Sequence, residues 1–137
     1  RLLPAMRERK WGRILTVTSS GVEQPIPVLA LSNGIRSAIV GWSKTLATEV
    51  ARDGVTVNIL MPGRIHTQRV VELDTAAAGR SGKPVEEVSA AAAETIPMGR
   101  YGDPEEFANM AVFLASERAS YVTGTKIRID GGATRSV

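Results

Sequence analysis

The stretch "GVTVNILMPG", residues 54–63, decides how this chain folds. Val55, Val57, Ile59, Leu60 and Met61 run without a charge between Gly54 and the Pro62-Gly63 pair, which predicts a strand over 55–63. Upstream lies a long helical pattern over 30–52, with Gly54 as its stop and Arg52 near its end. Ile35, Ile39, Trp42, Leu46 and Val50 recur there at three- and four-residue steps and are expected to face inward. Gly34, Ala38, Gly41 and Thr45 form a small-residue side that allows close packing. Further upstream, "RILTVTS" (13–19) is apolar enough for a buried parallel strand, and "GVEQPIPVL" is a loop with Pro25 and Pro27. "LLPAMRER" reads as a helix end punctuated by Gly12.

Downstream of Gly63, Ala-rich helical patterns over 67–78 and 84–95 flank "GRSGKP", with no strand signal between. A long excursion at this end of a strand is commonly a lid or substrate loop. "GDPEEFANMAVFLAS" starts a helix, with Asp103 as N-cap, Pro104 at the first position and Glu106 at the third. Phe107, Met110, Ala111 and Leu114 share one stripe of it. "TKIRID" then alternates, Ile127 and Ile129 facing inward, and "DGG" ends that strand. Strands separated by helices predict an α/β fold, a Rossmann-like doubly wound parallel sheet with one raw edge. Ligands of such sheets sit beyond the C-terminal strand ends, where Ser19 and Pro62-Gly63 both fall.

At 137 residues and 43% hydrophobic composition the chain can bury a real core, which excludes disorder. No apolar run reaches the roughly 20 residues of a membrane helix, and no signal segment is present. Without cysteine and with one histidine, no metal site is expected, and the composition suits the cytoplasm. The net charge of +3 owes much to Arg1, Arg7, Arg9, Lys10 and Arg13, read as a solvated helix end rather than a nucleic-acid surface. The chain opens on Arg1 in mid-phrase and reads as a piece of something longer.

The stretches "WGRILTVTSSG", "SAIVGWSKTLATEVARDGVTVNILMPGRIHT" and "GDPEEFANMAVFLASERASYVTGTKIRIDGG" together resemble the C-terminal half of a short-chain dehydrogenase/reductase, in flavour closest to 3-oxoacyl-(acyl carrier protein) reductases. That resemblance implies the C-terminal part of a single Rossmann-type domain, supplying strands 5, 6 and 7. It also implies NAD or NADP as cofactor, without revealing which, because the residues that choose would precede Arg1. A fragment of this kind should bind a dinucleotide poorly by itself. The implied substrate is a small carbonyl or alcohol, an acyl thioester among the candidates. The implied assembly is a homodimer or homotetramer, with no nucleic acid and no membrane.

Family members use a strand-end serine to hold the substrate oxygen, a tyrosine to exchange its proton, and a lysine one turn later to lower the tyrosine pKa. Carried onto this chain, the serine is Ser19, the tyrosine position is Ser32 and the lysine position is Arg36. Ser32 and Arg36 lie four apart and point to one side of their helix. An aliphatic hydroxyl is a far weaker acid than a phenol of pKa about 10, and a guanidinium is never the base it would need. Arg36 keeps the capacity to donate to ribose hydroxyls. By resemblance, Val17, Arg36, Pro62, Gly63, Ile65 and Thr67 form the cofactor side, Gly63 permitting close approach.

Tyr101 and Tyr121 are read as packing or loop-anchoring residues, and Asn58 as a backbone-bonding one. His66 could relay a proton, and Glu23 could border the pocket. Two functions follow: a nicotinamide-dependent oxidoreductase with an altered proton route, or a catalytically silent relative that binds nucleotide or a partner subunit.

Overall fold

Three strands lie side by side in chain order: β1 (Gly12–Val17), β2 (Val55–Pro62) and β3 (Lys126–Ile129). This is the computed structural model, which describes residues 1–136. Both pairings are parallel, in register from Gly12↔Val55 to Val17↔Leu60 and from Ile59↔Lys126 to Pro62↔Ile129. β2, the uncharged run, is the central strand and is buried from Val55 to Met61. All three strands therefore end on the same rim.

Helices cover both faces. α1 (Leu3–Glu8) precedes β1, and α2 (Ala30–Val50) crosses from β1 to β2. α3 (Gln68–Ser81), α4 (Val85–Glu94) and α5 (Pro104–Ala115) connect β2 to β3. On one face Ala47 and Val50 of α2 meet Val55 and Val57, with Leu3, Met6, Ile14 and Leu46 around them. On the other, Leu60, Leu114 and Ala119 are packed by Leu15, Phe107, Met110, Ala111, Ile127 and Ile129. The expected stripes of α5 and β3 thus face the core. Asn58, on the α5 face, is fully buried. Its Nδ2 donates to the Val122 carbonyl (2.8 Å) and its Oδ1 accepts from the Thr125 amide (3.3 Å), a backbone-bonding role as expected.

α2 departs from its expected stripe. Leu46 and Val50 pack inward, but Ile35 and Trp42 are 57% and 56% exposed. The inward positions are Ser43, Ala47 and Val50, one residue round the helix from Trp42. Small side chains there let α2 sit close to β2, and the bulky ones are turned outward. The helix ends at Val50, a 3-10 turn follows over Ala51–Asp53, and Gly54 takes φ 72°. A Cβ on Gly54 would lie 2.1 Å from the Lys10 carbonyl oxygen, so glycine is required twice over. The basic N-terminal segment is tied down: Arg7 and Lys10 pair with Asp53 (each 2.9 Å), and the guanidiniums of Arg9 and Arg13 lie over Trp11. Among the described residues no helix is long and apolar enough to cross a membrane.

Candidate active site at the C-terminal strand rim

The rim is built from β1 outward. The Thr18 amide bonds the Leu60 carbonyl (2.9 Å), carrying the ladder one residue past the strand. Ser19 then leaves in extended conformation, and its Oγ accepts from the Gly21 amide (3.1 Å), opening a 3-10 turn over Ser20–Val22. A Cβ on Gly21 would fall 2.7 Å from Asn33 Oδ1, so the missing side chain lets this turn lie against the start of α2. Asn33 Nδ2 also donates to the Ile26 carbonyl (2.9 Å), clasping the 20–28 loop. Asn33 and Thr18 carry no charge and no motif, and the sequence reading passed over both.

That clasp brings Ser32 and Arg36 to the β1 end. Arg36 Nη1 donates to the carbonyls of Thr18 (2.7 Å) and Val17 (3.5 Å), and its Nε donates to Ser32 Oγ (3.2 Å). The two serine oxygens thus each accept an N–H, which leaves their O–H bonds to point elsewhere. The Val17 side chain is half exposed beside them.

On the next strand the Gly63 amide bonds the Ile129 carbonyl (2.9 Å). A Cβ on Gly63 would lie 2.7 Å from Asp130 Cα, so the close approach this glycine permits is to the chain leaving β3. Ile65 is buried and forms an isolated parallel bridge with Gly102. Thr67 precedes α3, is exposed, and makes no side-chain cap bond. Ser19, Ser32, Arg36 and Val17 therefore gather at one strand end, with Pro62 and Gly63 on the adjacent one. Ile65 lines a separate cavity of about 210 Å³ beyond β2 and β3, with Arg64, Gly102, Glu106 and Asp130.

Other candidates resolve differently. Glu23 pairs with Lys126 (2.6 Å) and Arg128 (2.5 Å), and the Lys126 bond leads in holding its carboxyl below the usual range. Tyr101 is a buried anchor; burial first, then its hydrogen bond to Asp74, push the phenol pKa up. Tyr121 is fully exposed and packs on nothing, contrary to expectation. His66 is exposed just past β2, its ring 5.1 Å from that of Tyr101. Among the described residues no group of three metal-ligating side chains forms.

The family model for enoyl-(acyl carrier protein) reductases matches residues 1–134. The chain belongs to the short-chain dehydrogenase/reductase family. Among its relatives is the 3-oxoacyl-(acyl-carrier-protein) reductase FabG of Aquifex aeolicus, 37% identical over 131 residues that cover 95% of this chain and 48% of that one. The L-sorbose reductase of Gluconobacter frateurii, solved with NADPH and L-sorbose, is similar at TM-score 0.91 and 36% identity, over 99% of this chain and 52% of that one. YwfH, an NADPH-dependent reductase involved in bacilysin biosynthesis, matches at TM-score 0.93 and 32% identity, over 98% and 52% of the two chains. The chain spans about half the length of the relatives it matches.

Proposed function

We propose that the protein is an NAD(P)-dependent oxidoreductase of the short-chain type, acting on a small carbonyl or alcohol in the manner of a 3-oxoacyl reductase. The observation that carries this reading is the rim: Ser19, Ser32 and Arg36 stand at one strand end beside Pro62-Gly63, in a fold shared with an NADPH-complexed sugar reductase. As the C-terminal part of a single dinucleotide-binding domain, the chain offers the nicotinamide end of such a site. The residues fit that end. Val17 presents apolar surface at the strand terminus, Thr67 keeps an unbonded hydroxyl, and Arg36 holds a cation against Ser32 and the carbonyl of Thr18, the residue before Ser19. When bound, the nicotinamide supplies or accepts the hydride.

The chain's own residues then have a limited task. The Ser19 and Ser32 hydroxyls, with their oxygens already accepting N–H bonds, are free to donate to a substrate oxygen as it gains negative charge. Arg36 adds positive charge one bond away and stays protonated throughout. Neither serine is an acid of useful strength, so the proton comes from water in the space a tyrosine ring would fill.

A second reading rests on the same bonds. Arg36 is committed to Thr18 and Ser32, an arrangement suited to binding without proton transfer, as in a silent relative. The outer side of α2, with Leu31, Ile35 and Trp42 exposed, suits a homodimer or homotetramer contact. The cytoplasm suits either reading.

The experiment uses the full chain that carries these residues, following NADPH and NADH oxidation with 3-oxoacyl thioesters and simple ketones. Turnover that survives Arg36→Lys but falls on Ser19→Ala and Ser32→Ala supports the enzyme. Binding without turnover, with activity appearing in Ser32→Tyr/Arg36→Lys, assigns the silent relative.

A further inference from the structure

The one nearly buried carboxylate in the 67–103 excursion is Asp74, only 3% exposed on the second turn of α3. Its Oδ1 meets Arg64 Nη1 at 2.5 Å, and its Oδ2 accepts from the Tyr101 hydroxyl at 2.8 Å. Arg64 Nη1 also donates to the Tyr101 oxygen (3.3 Å), and its guanidinium lies 5.6 Å from the centre of that ring. These three residues come from three places: the turn just past β2, α3, and the loop that leads into α5. Backbone bonds already fix two of the three, since the Gly102 amide bonds the Arg64 carbonyl (2.9 Å) and the His66 amide bonds the Gly102 carbonyl (2.8 Å). Asp74 is what joins α3 to that fixed pair.

α3 and α4 otherwise pack chiefly on each other, bury little of their own surface, and stand outside the two cores that clamp the sheet. A hairpin of that kind opens locally at low cost unless something specific holds it. A buried carboxylate without its partners is costly, so Asp74 favours the arrangement in which Arg64 and Tyr101 are both at hand. We infer that Asp74, through Arg64 and Tyr101, is the latch that sets the position of the α3–α4 hairpin against the turn that leaves β2, and so a positioning device for whatever substrate the rim holds. The substrate part rests on the oxidoreductase reading; the latch itself does not. Tyr101 remains a neutral donor in this role, and it is closed off from acting as the missing catalytic tyrosine.

Amide hydrogen exchange on the full chain tests the latch without cofactor or substrate. In Asp74→Asn and in Tyr101→Phe, which keeps the ring's shape, residues 68–94 should exchange roughly tenfold faster while β1 and β2 keep their protection. The triple variant Arg64→Met/Asp74→Leu/Tyr101→Phe, apolar groups of similar bulk that leave no polar atom of the cluster unpaired, should restore much of that protection. For the enzyme, the Asn and Phe variants should raise KM for the carbonyl substrate several-fold with a smaller change in kcat and in NADPH affinity. Exchange over 68–94 that does not change in either variant overturns the latch. So does a rise spread equally over β2, which makes Asp74 a general fold residue. Absence of nucleotide binding by the wild type would instead sink the oxidoreductase reading and leave the latch standing.

Discussion

Gly63 carries a structural duty beside the one its motif suggests. The family pattern marks it as a place where a cofactor comes close, and its missing Cβ also makes room for Asp130, just past the end of β3. Gly63→Ala should therefore destabilise the fold by about 1–3 kcal/mol, because a backbone atom has to move. Thermal unfolding checks this, and an unchanged Tm would contradict it. Asn58 has a structural duty that matches its reading. Its amide serves one buried carbonyl and one amide of the 122–125 segment, so Asn58→Ala leaves both unanswered at roughly 1–3 kcal/mol each. Ser32 and Arg36 are the opposite case, since their identities were fully visible in the sequence and their partners were not. The bond from Arg36 to the Thr18 carbonyl depends on the path of the 20–28 loop, which Asn33 fixes through contacts that no periodicity announces.

Among the elements, α5 was legible from its first residues because capping chemistry is local. Glu106 reaches back to the Asp103 amide (2.8 Å) and forms a two-bonded pair with Arg100. Arg100 first, and the Asp103 amide second, lower its pKa from 4.5 to about 2. A carboxyl whose folded pKa is depressed contributes stability above its unfolded value and loses it as pH falls through the folded one. The stability difference between wild type and Glu106→Gln should hold at neutral pH, shrink below about 4.5 and vanish near 2. Acid titration of the thermal midpoint measures it; a constant difference across that window would contradict the assignment. α2 was less legible. Its length and ends followed from periodicity and Gly54, but two interleaved stripes of the same period competed for the core. Ser43, Ala47 and Val50 won over Ile35 and Trp42 because their small members allow the closer approach to β2, while the side formed by Gly34, Ala38, Gly41 and Thr45 packs on nothing in this chain and stays exposed. For the proposed homo-oligomer, Trp42→Glu should leave the fold intact and lower the mass measured by light scattering. An unchanged mass would show that this helix face is not where copies meet.

At the scale of the molecule, the parallel sense of the three strands follows from alternation of strands and helices, and their order β1-β2-β3 agrees with the strands 5, 6 and 7 that the resemblance implies. The position of the 67–103 excursion was not legible, because its fixing contacts join residues 10 to 37 apart through Arg64, Asp74 and Tyr101. The sheet brings Ser19, Ser32 and Arg36 to one strand end, and on the proposed reading that end is where a nicotinamide and its substrate would meet. Restoring the phenol and amine in Ser32→Tyr/Arg36→Lys should raise turnover by about 10²–10⁴-fold, the usual worth of positioned acid–base catalysis. A variant no faster than wild type would show that the proton route does not pass through these positions. The most direct measurement is a fluorescence titration, with NADH and with NADPH, of the complete protein that carries these residues. Saturable binding of at least one, weakened by Val17→Asp at the strand end, is the predicted result. No saturable binding of either, with the protein folded, would contradict the claim that this rim is a dinucleotide site.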